Sequence, residues 1–384
     1  MDQPQYTSLL AALTAVPDYR QARGKRYPWV FLWAALGGAL LSGQHSGSAI
    51  AAWVIAHTPE VVAWLRLPLR RVPSPATVRR ALRHVDVEAL ERALAAFVQT
   101  LDAMDAGAGV VVGRDGAPLR GQAVDGKAVR GAGAHGVKVH LLSLVRHGSG
   151  DTLAQREVGE KSNEIPAVLP LLAGCAVQGT VITLDALHTQ RATAQGVLEL
   201  GGDYLMVVKK NQPQLYADLE AYFRELPPEV ARDTHRSVGK AHGRWEWRTL
   251  TCSPGLSTYL AWPGVQQVAQ RHCQRTVIQT GETHAEDSYA VTSLDESRAG
   301  ARQLEALWRG HWTIENRSHY VRDETLGEDR CQMHAGNAPR ALAALRNGLL
   351  AAVRHAGWAN VAQALRYYGV AAGRALALIG GQMG

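Results

Sequence analysis

Three acidic residues have types and settings that suit metal chemistry: Asp125, Asp185 and Glu315. Asp125 lies in the alternating segment 122–129, and Asp185 closes the β-branched run 180–185, so each belongs to a strand or to its C-terminal end. Open α/β sheets bind their ligands at that end. In the strand order read below, the two aspartates occupy the first and fourth strands, which lie side by side. Two ionised carboxylates so placed need a counter-cation. Oxygen-only ligation suits Mg²⁺ or Mn²⁺. Taken singly, each aspartate is better explained as ending a strand or capping the next helix.

The segment around Glu315 adds weight to the group. At 3.6 residues per turn, Trp308, His311, Glu315, His319 and Arg322 fall on one stripe of a helix. Leu307, Ile314 and Val321 form a second, apolar stripe a quarter-turn away that would dock on a sheet. A carboxylate centred in a polar stripe beside a buried one is what a helix delivering a third metal ligand would present. An ordinary amphipathic helix also explains the glutamate, but explains less well why Trp308 joins the polar stripe.

The elements that must position these residues follow from the hydrophobic pattern. Residues 8–100 read as helical. The apolar run 29–41 is followed by a glycine-rich break at 43–47 and a helix over 48–56. A linker with a basic edge spans 66–73. Ser74 then caps a helix with Pro75 in its first turn. Arg79, Arg80 and Arg83 on that helix would face phosphate in the manner of a helix-turn-helix, or form a solvated basic face. From about 119 the pattern alternates: strands over 122–129, 138–147 and 153–158, with a hairpin turn at 148–151. A helix at 165–172, the strand 180–185, a helix at 189–200 and a strand at 204–208 complete the order of a ribonuclease-H-like sheet. Residues 211–300 read as a largely β insertion, with strands at Trp245/Trp247 and at 289–292. A long helix spans 301–323, and two Ala/Leu-rich helices lie near 338–354 and 358–379.

Composition sets wider bounds. At 384 residues the chain is long enough for two or three cores. Its 46% hydrophobic and 20% charged residues exclude extended disorder. A net charge of +7 permits a polyanionic partner without demanding one. Residues 1–100 carry eleven Lys/Arg against six Asp/Glu. The four cysteines form no CxxC pair, and Cys331/His334 lacks a second ligand pair for zinc, so a reducing cytoplasm is expected. No secretory signal is read at the N-terminus. The 13-residue apolar run Trp29–Leu41 falls short of the ~20 residues that span a bilayer, and reads as a buried core helix.

The Glu315 segment resembles the signature of bacterial insertion-sequence transposases of the DDE class, Tyr-x(2)-Arg-x(3)-Glu-x(6)-Lys. Here it reads Trp308-x(2)-His311-x(3)-Glu315-x(6)-Arg322. The spacing matches throughout, the glutamate alone is identical, and His311 for Arg is a real departure. Further segments look like the branch that includes the H-repeat-associated proteins. They are Asp125-Gly126-Lys127, Glu160-Lys161-Ser162-Asn163-Glu164-Ile165, Asp185-Ala186-Leu187-His188-Thr189-Gln190, Lys209-Lys210-Asn211-Gln212, His242-Gly243-Arg244 and Glu328-Asp329-Arg330. Val72-Pro73-Ser74 with its arginine-bearing helix resembles the domain that precedes the catalytic core there. Six or so ordered motifs covering nearly the whole chain are far more specific than any one match.

The resemblance implies an α/β ribonuclease-H-like core with a β-rich insertion. An all-α N-terminal DNA-binding domain (1–110) would precede it, the core would begin at 111–210, the insertion would fill 211–300, and the glutamate helix and C-terminal helices would occupy 301–384. It implies Asp125, Asp185 and Glu315 as ligands of two Mg²⁺ or Mn²⁺ ions that cut DNA strands and join them to a target. Lys127, Arg130, Lys138, Lys209, Lys210 and Arg322 would meet phosphates. Trp245, Trp308 or Trp312 would stack a displaced base, and His188 and His311 would bond phosphate or orient water. The implied partner is double-stranded DNA, as element ends and target, held by a homodimer in a synaptic complex; no membrane is involved. Other outcomes are a structure-specific two-metal nuclease without strand joining, or a domesticated DNA-binding protein that has lost catalysis.

Overall fold

The computed structural model describes residues 5–102, 107, 109–130, 139–159, 163–226, 229–241 and 243–381. Lys138 and residues 160–162 and 242, which the sequence singles out, lie outside these.

Six helices open the chain: α1 (Leu9–Ala15), α2 (Trp29–Leu41), α3 (Gly47–Ala56), α4 (Thr58–Leu65), α5 (Pro75–His84) and α6 (Val87–Asp102). Ser8, Ser46 and Ser74 start α1, α3 and α5 by accepting a backbone N–H from the first turn, which would otherwise lack a partner. Helix α2 is buried along almost its whole length, as its unbroken apolar run requires. Its Gly38 lets α3 approach closely, since a Cβ there would lie 2.6 Å from the Trp53 ring. Among the described residues no single helix is long and apolar enough to cross a membrane; α3 and α4 together pass that test by composition but bend by 61°.

The sheet contains β1 (Val110–Val112), β2 (Pro118–Val129), β3 (Val139–Arg146), β4 (Thr152–Val158), β5 (Thr180–Leu184), β6 (Asp203–Val208), β7 (Asp233–Ala241), β8 (Arg244–Ser253), β9 (Gln267–Val277) and β10 (Thr283–Thr292). Helices α7 (Ile165–Leu172) and α8 (Arg191–Glu199) make the crossovers to β5 and β6, and α9 (Pro213–Arg224) follows β6. Strand order is β4-β3-β2-β5-β6-β10-β9-β8-β7, with β1 on β2. β2, β5 and β6 run parallel, with Val124 opposite Leu184 and Leu184 opposite Met206. β10 pairs antiparallel with β6, so the segment expected as an insertion extends the same sheet. β10 begins earlier than its apolar stretch because residues 283–287 are exposed and carry no hydrophobic alternation.

The expected long helix over 301–323 is broken. Regular α10 (Ala301–Gly310) gives way at His311–Trp312 to wider π-helical turns, Ile314–His319 and Val321–Thr325. The i→i+5 bond from the Leu326 N–H to the Val321 carbonyl marks the widening. A stripe drawn at 3.6 residues per turn does not survive this change of pitch. Trp308 points into the core at 3% exposure, with the Arg271 guanidinium 4.4 Å above its ring. Arg322 is fully buried.

Helices α11 (Ala338–His355), α12 (Val361–Gly369) and α13 (Ala372–Ile379) end the described chain. The last two were expected as one helix. They share a core with the N-terminal helices: the Ile379 side chain fills the space beside Gly37. Arg322 bonds Glu328 through two nitrogens (3.0 and 2.7 Å), and Arg346 from α11 lies 3.4 Å from the same carboxylate. Burial would raise the Glu328 pKa, but the two guanidiniums outweigh it and hold it below the usual range. Glu328→Gln leaves two buried arginines without a counter-charge. We expect it to cost about 3–5 kcal/mol of unfolding free energy, read from urea denaturation at neutral pH; a loss below about 1 kcal/mol would mean that the ion triad does not hold the π-helical segment in place.

Candidate active site

The parallel register of β2 and β5 carries Asp125 and Asp185 to the same end of the sheet, one residue past the Val124–Leu184 pair. Glu315, on the first π-helical turn, approaches from the adjoining face. Asp125, Glu315 and His319 each offer one ligand atom, and the three lie within 4.8 Å of one another. His319 Nδ1 is 3.2 Å from Glu315 Oε2 and 3.7 Å from Asp125 Oδ2. Burial pushes the Asp125 carboxyl up; His319 opposes this, while the charges of Asp185 and Glu164 reinforce it. The His319 hydrogen bond holds Glu315 low, against the effect of its burial. Carboxylates gathered with this excess of negative charge, plus an imidazole, form a donor set that fits a divalent ion.

Asp185 faces another way. Its Oδ1 accepts from His188 Nδ1 at 2.8 Å and from the His188 backbone N–H at 3.2 Å. On the other side of the same ring, Nε2 lies 3.0 Å from Glu164 Oε2, and Glu164 Oε1 lies 2.7 Å from His140 Nε2. Burial alone would lower the His188 pKa, but its two carboxylate partners outweigh this and push it up to about 9. Burial would raise both Asp185 and Glu164; their histidine partners hold them below the usual range instead.

The scattered motifs converge on this arrangement. Gly126 makes room for Glu164, because a Cβ there would lie 2.2 Å from the glutamate carboxyl. The loop after β5 is fixed from β6: Asn211 Nδ2 donates to the Ala186 carbonyl (2.6 Å) and Gln212 Nε2 to that of Thr189 (2.8 Å). The Thr189 hydroxyl lies 3.0 Å from the Asp185 carbonyl and 2.5 Å from that of Val207. Asp329 accepts the Arg130 backbone N–H.

The remaining sequence candidates divide. Arg130 (82% exposed), Lys209 and Lys210 face solvent. Arg79, Arg80 and Arg83 are exposed and line a groove of about 510 Å³ with His84, Met333 and His334. Three candidates turn inward. Lys127 donates to Asp323 at 2.6 and 2.5 Å from a buried position, and Arg322 and Trp308 are buried as described. None of the three presents itself to a phosphate. His311 accepts or donates to Thr183 Oγ1 (3.1 Å), which also meets His147 Nε2 (2.9 Å). Burial drops His311 to about 4 and His147 to about 3, so both rings are neutral at pH 7.

Sequence reasoning missed three features: Glu164 as the partner of His188, His319 in the ligand group, and a groove of about 750 Å³ between α10 and the extended sheet. Arg244, Arg248, Arg271, Arg275 and Arg309 line that groove, with Trp312 (55% exposed) at its rim. The groove had a signal. Arg244/Arg248 and Arg271/Arg275 recur at even spacing on two strands, and even spacing puts side chains on one face. The partnership of Glu164 with His188 depends on long-range packing and had none.

Residues 116–352 match the family model described as the transposase DDE domain, and residues 10–98 match one described as DDE_Tnp_1-associated. An uncharacterized protein from the dhlA 3′ region of Xanthobacter autotrophicus is 32% identical over 263 residues, covering 66% of this chain and 83% of that protein. YhhI of Escherichia coli (strain K12), named provisionally as an H repeat-associated transposase, is 30% identical over 246 residues, 62% of each chain. YncI of Escherichia coli O157:H7, also named provisionally as a transposase, is 27% identical over 293 residues, covering 74% of this chain and 71% of that protein. The match thus spans a little under two thirds of YhhI and of its relative YbfL.

The His188 relay makes a pH prediction for the metal-free protein. A histidine whose pKa is raised on folding adds stability that is fully present below its unfolded value of 6.5 and is lost as pH rises through about 9. In EDTA, the urea midpoint of the wild type should therefore fall between pH 6.5 and 9.5. His188→Gln should flatten that decline, and so should Gly126→Ala, which displaces Glu164. Equal slopes in all three proteins would show that His188 is not held as a cation.

Proposed function

This chain belongs to the DDE transposase family, of the H-repeat branch, and from that premise we propose that it is a metal-dependent transposase that cuts DNA at the ends of an insertion sequence and joins them to a target. The observation that carries the reading is that adjacent parallel strands bring Asp125, within β2, and Asp185, just past β5, to neighbouring positions, while Glu315 from a separate helical segment gathers with Asp125 and His319 within 4.8 Å. The order β4-β3-β2-β5-β6, with its last three strands parallel, supports a ribonuclease-H-like core.

In this reading Asp125, Asp185 and Glu315 hold two Mg²⁺ or Mn²⁺ ions, which would lower the pKa of the attacking oxygen and stabilise the leaving one. For strand cutting, water adds to phosphorus as the P–O3′ bond breaks, leaving a 3′-hydroxyl. For joining, that hydroxyl attacks a target phosphodiester and the target's own 3′-oxygen leaves. Asp185 engages His188 through Oδ1 alone, so its Oδ2 would be the ligand atom, with His188 and Glu164 fixing the carboxylate from behind. Arg130, Lys209 and Lys210 would meet phosphates near the site. The N-terminal helices, through Arg79, Arg80 and Arg83, would grip duplex DNA, and a homodimer acting in the cytoplasm would bring two element ends together.

The test is cleavage and strand transfer of labelled element-end DNA with Mg²⁺ or Mn²⁺. Wild type should nick and join; Asp185→Ala and Glu315→Ala should bind the DNA but lose at least about 10³-fold in both steps. Variants that cut like wild type would remove these carboxylates from the chemistry. Cutting without joining would make the protein a nuclease, and binding without cutting a domesticated DNA-binding protein.

A further inference from the structure

We propose that His319 is itself a ligand of the metal centre, so that one ion is held by Asp125, Glu315 and His319 through oxygen and nitrogen, and the site favours Mn²⁺ over Mg²⁺. This rests on the metal reading above and goes beyond its carboxylate-only donor set.

The geometry argues for it in three ways. First, His319 Nδ1 is 3.2 Å from Glu315 Oε2 and 3.7 Å from Asp125 Oδ2. Atoms bound to one ion at about 2.1 Å sit roughly 3–4 Å from each other, so these separations need little closing. Second, the His319 side chain is only 5% exposed, and Nδ1, the nitrogen that faces Glu315 and Asp125, has carboxylate oxygens as its polar neighbours, while Nε2, which would carry the proton of an Nδ1-bound imidazole, has no acceptor among the described residues. The ring's one polar engagement is with the two carboxylates. Third, Glu315 and His319 are four residues apart on one helical segment. That spacing delivers two ligands to one ion from a single face, and the π-helical turn that contains both keeps them together.

The surrounding groups leave this place to His319. Asp185 is held by His188 and stands outside the ligand group. Lys127, the nearest candidate cation on β2, is committed to Asp323. Arg322, three residues beyond His319, is committed to Glu328.

The choice of ion follows from the donors. Mg²⁺ is hard, demands regular octahedral geometry and prefers oxygen. Imidazole suits transition metals, and Mn²⁺ accepts carboxylate and imidazole together. A site with one nitrogen donor should therefore discriminate between two ions that an all-oxygen site treats more evenly.

The experiment uses the full chain, stripped of metal and titrated with Mn²⁺ and Mg²⁺ by calorimetry, with pulsed electron paramagnetic resonance of the Mn²⁺ form. Wild type should show ¹⁴N coupling from a directly bound imidazole and should bind Mn²⁺ at least about tenfold more tightly than Mg²⁺. His319→Gln, checked for folding by circular dichroism, should lose the coupling and about tenfold in Mn²⁺ affinity, with less effect on Mg²⁺. If that variant misfolds, a wild-type spectrum without ¹⁴N coupling still overturns the assignment, and coupling that persists in His188→Gln excludes the neighbouring imidazole as its source. Mn²⁺ that binds wild type, is lost in Asp125→Asn and shows no ¹⁴N coupling overturns the His319 assignment and leaves the carboxylate site standing. Mn²⁺ binding unaffected by Asp125→Asn, or absent from wild type, brings down both.

Discussion

The parallel pairing of β2 with β5 is the constraint from which the rest of the site follows. It sets Asp125, within β2, level with Asp185 at the end of β5 and so brings two carboxylates to one place, where burial already works against ionisation of Asp125. Glu164 and Glu315 add two more. The chain answers this crowd with imidazoles: His188 between Asp185 and Glu164, His140 on Glu164, and His319 between Glu315 and Asp125. The guanidiniums that could have answered it are placed elsewhere, Arg322 and Arg346 on Glu328. Of these imidazoles His188 is pushed up to about 9 by its two carboxylates, and an imidazole, unlike a guanidinium, can give up its charge. The carboxylates are thereby given partners that do not neutralise them permanently.

Support for that arrangement comes from residues that do no chemistry. Gly126 is small so that Glu164 can reach His188. Asn211 and Gln212 hold the carbonyls of the loop that presents Asp185. The buried triad of Arg322, Glu328 and Arg346 ties the end of the π-helical segment to α11, and Lys127–Asp323 ties the same segment to β2. Glu315 is thus positioned by a fully buried ion triad, where the loss of one partner is costly, and by a second, partly exposed pair.

The parts legible in the sequence were those carried by local pattern. Ser74 with Pro75 announced α5, the apolar run announced α2, and β-branched alternation announced β2 with Asp125 inside it and β5 with Asp185 just past its end. What was not legible depended on pitch or on distant packing. A 3.6-residue period assigns Trp308 and Arg322 to the stripe of Glu315, whereas Trp308 belongs to the buried face of regular α10 and the π-helical turns that follow put Glu315 out of phase with it and bury Arg322. Lys127 and Arg322 look like surface cations by type, and only Asp323 and Glu328 in three dimensions reveal them as buried partners. The first half of β10 is polar on both faces and carries no alternation to read.

The departure at position 311 acquires a physical meaning from this structure. Where the signature has an arginine, the chain has a histidine whose pKa burial drops to about 4, joined to His147 through Thr183 in an uncharged chain. No positive charge can come from this position at neutral pH. One residue on, Trp312 stands at the rim of a groove that Arg244, Arg248, Arg271 and Arg275 enter from β8 and β9 and Arg309 from α10. If a nucleic-acid backbone passes along α10, most of the charge that meets it must come from the strands that extend the sheet. The two strands carry these guanidiniums every fourth residue on one face, with Glu246 and Cys273 between them, and Glu246 pairs with Arg248 and Arg275, leaving Arg244, Arg271 and Arg309 to supply the net charge. The extended sheet would then be part of the DNA-binding surface in its own right, and a histidine at 311 would be tolerable because the adjoining strands carry the charge.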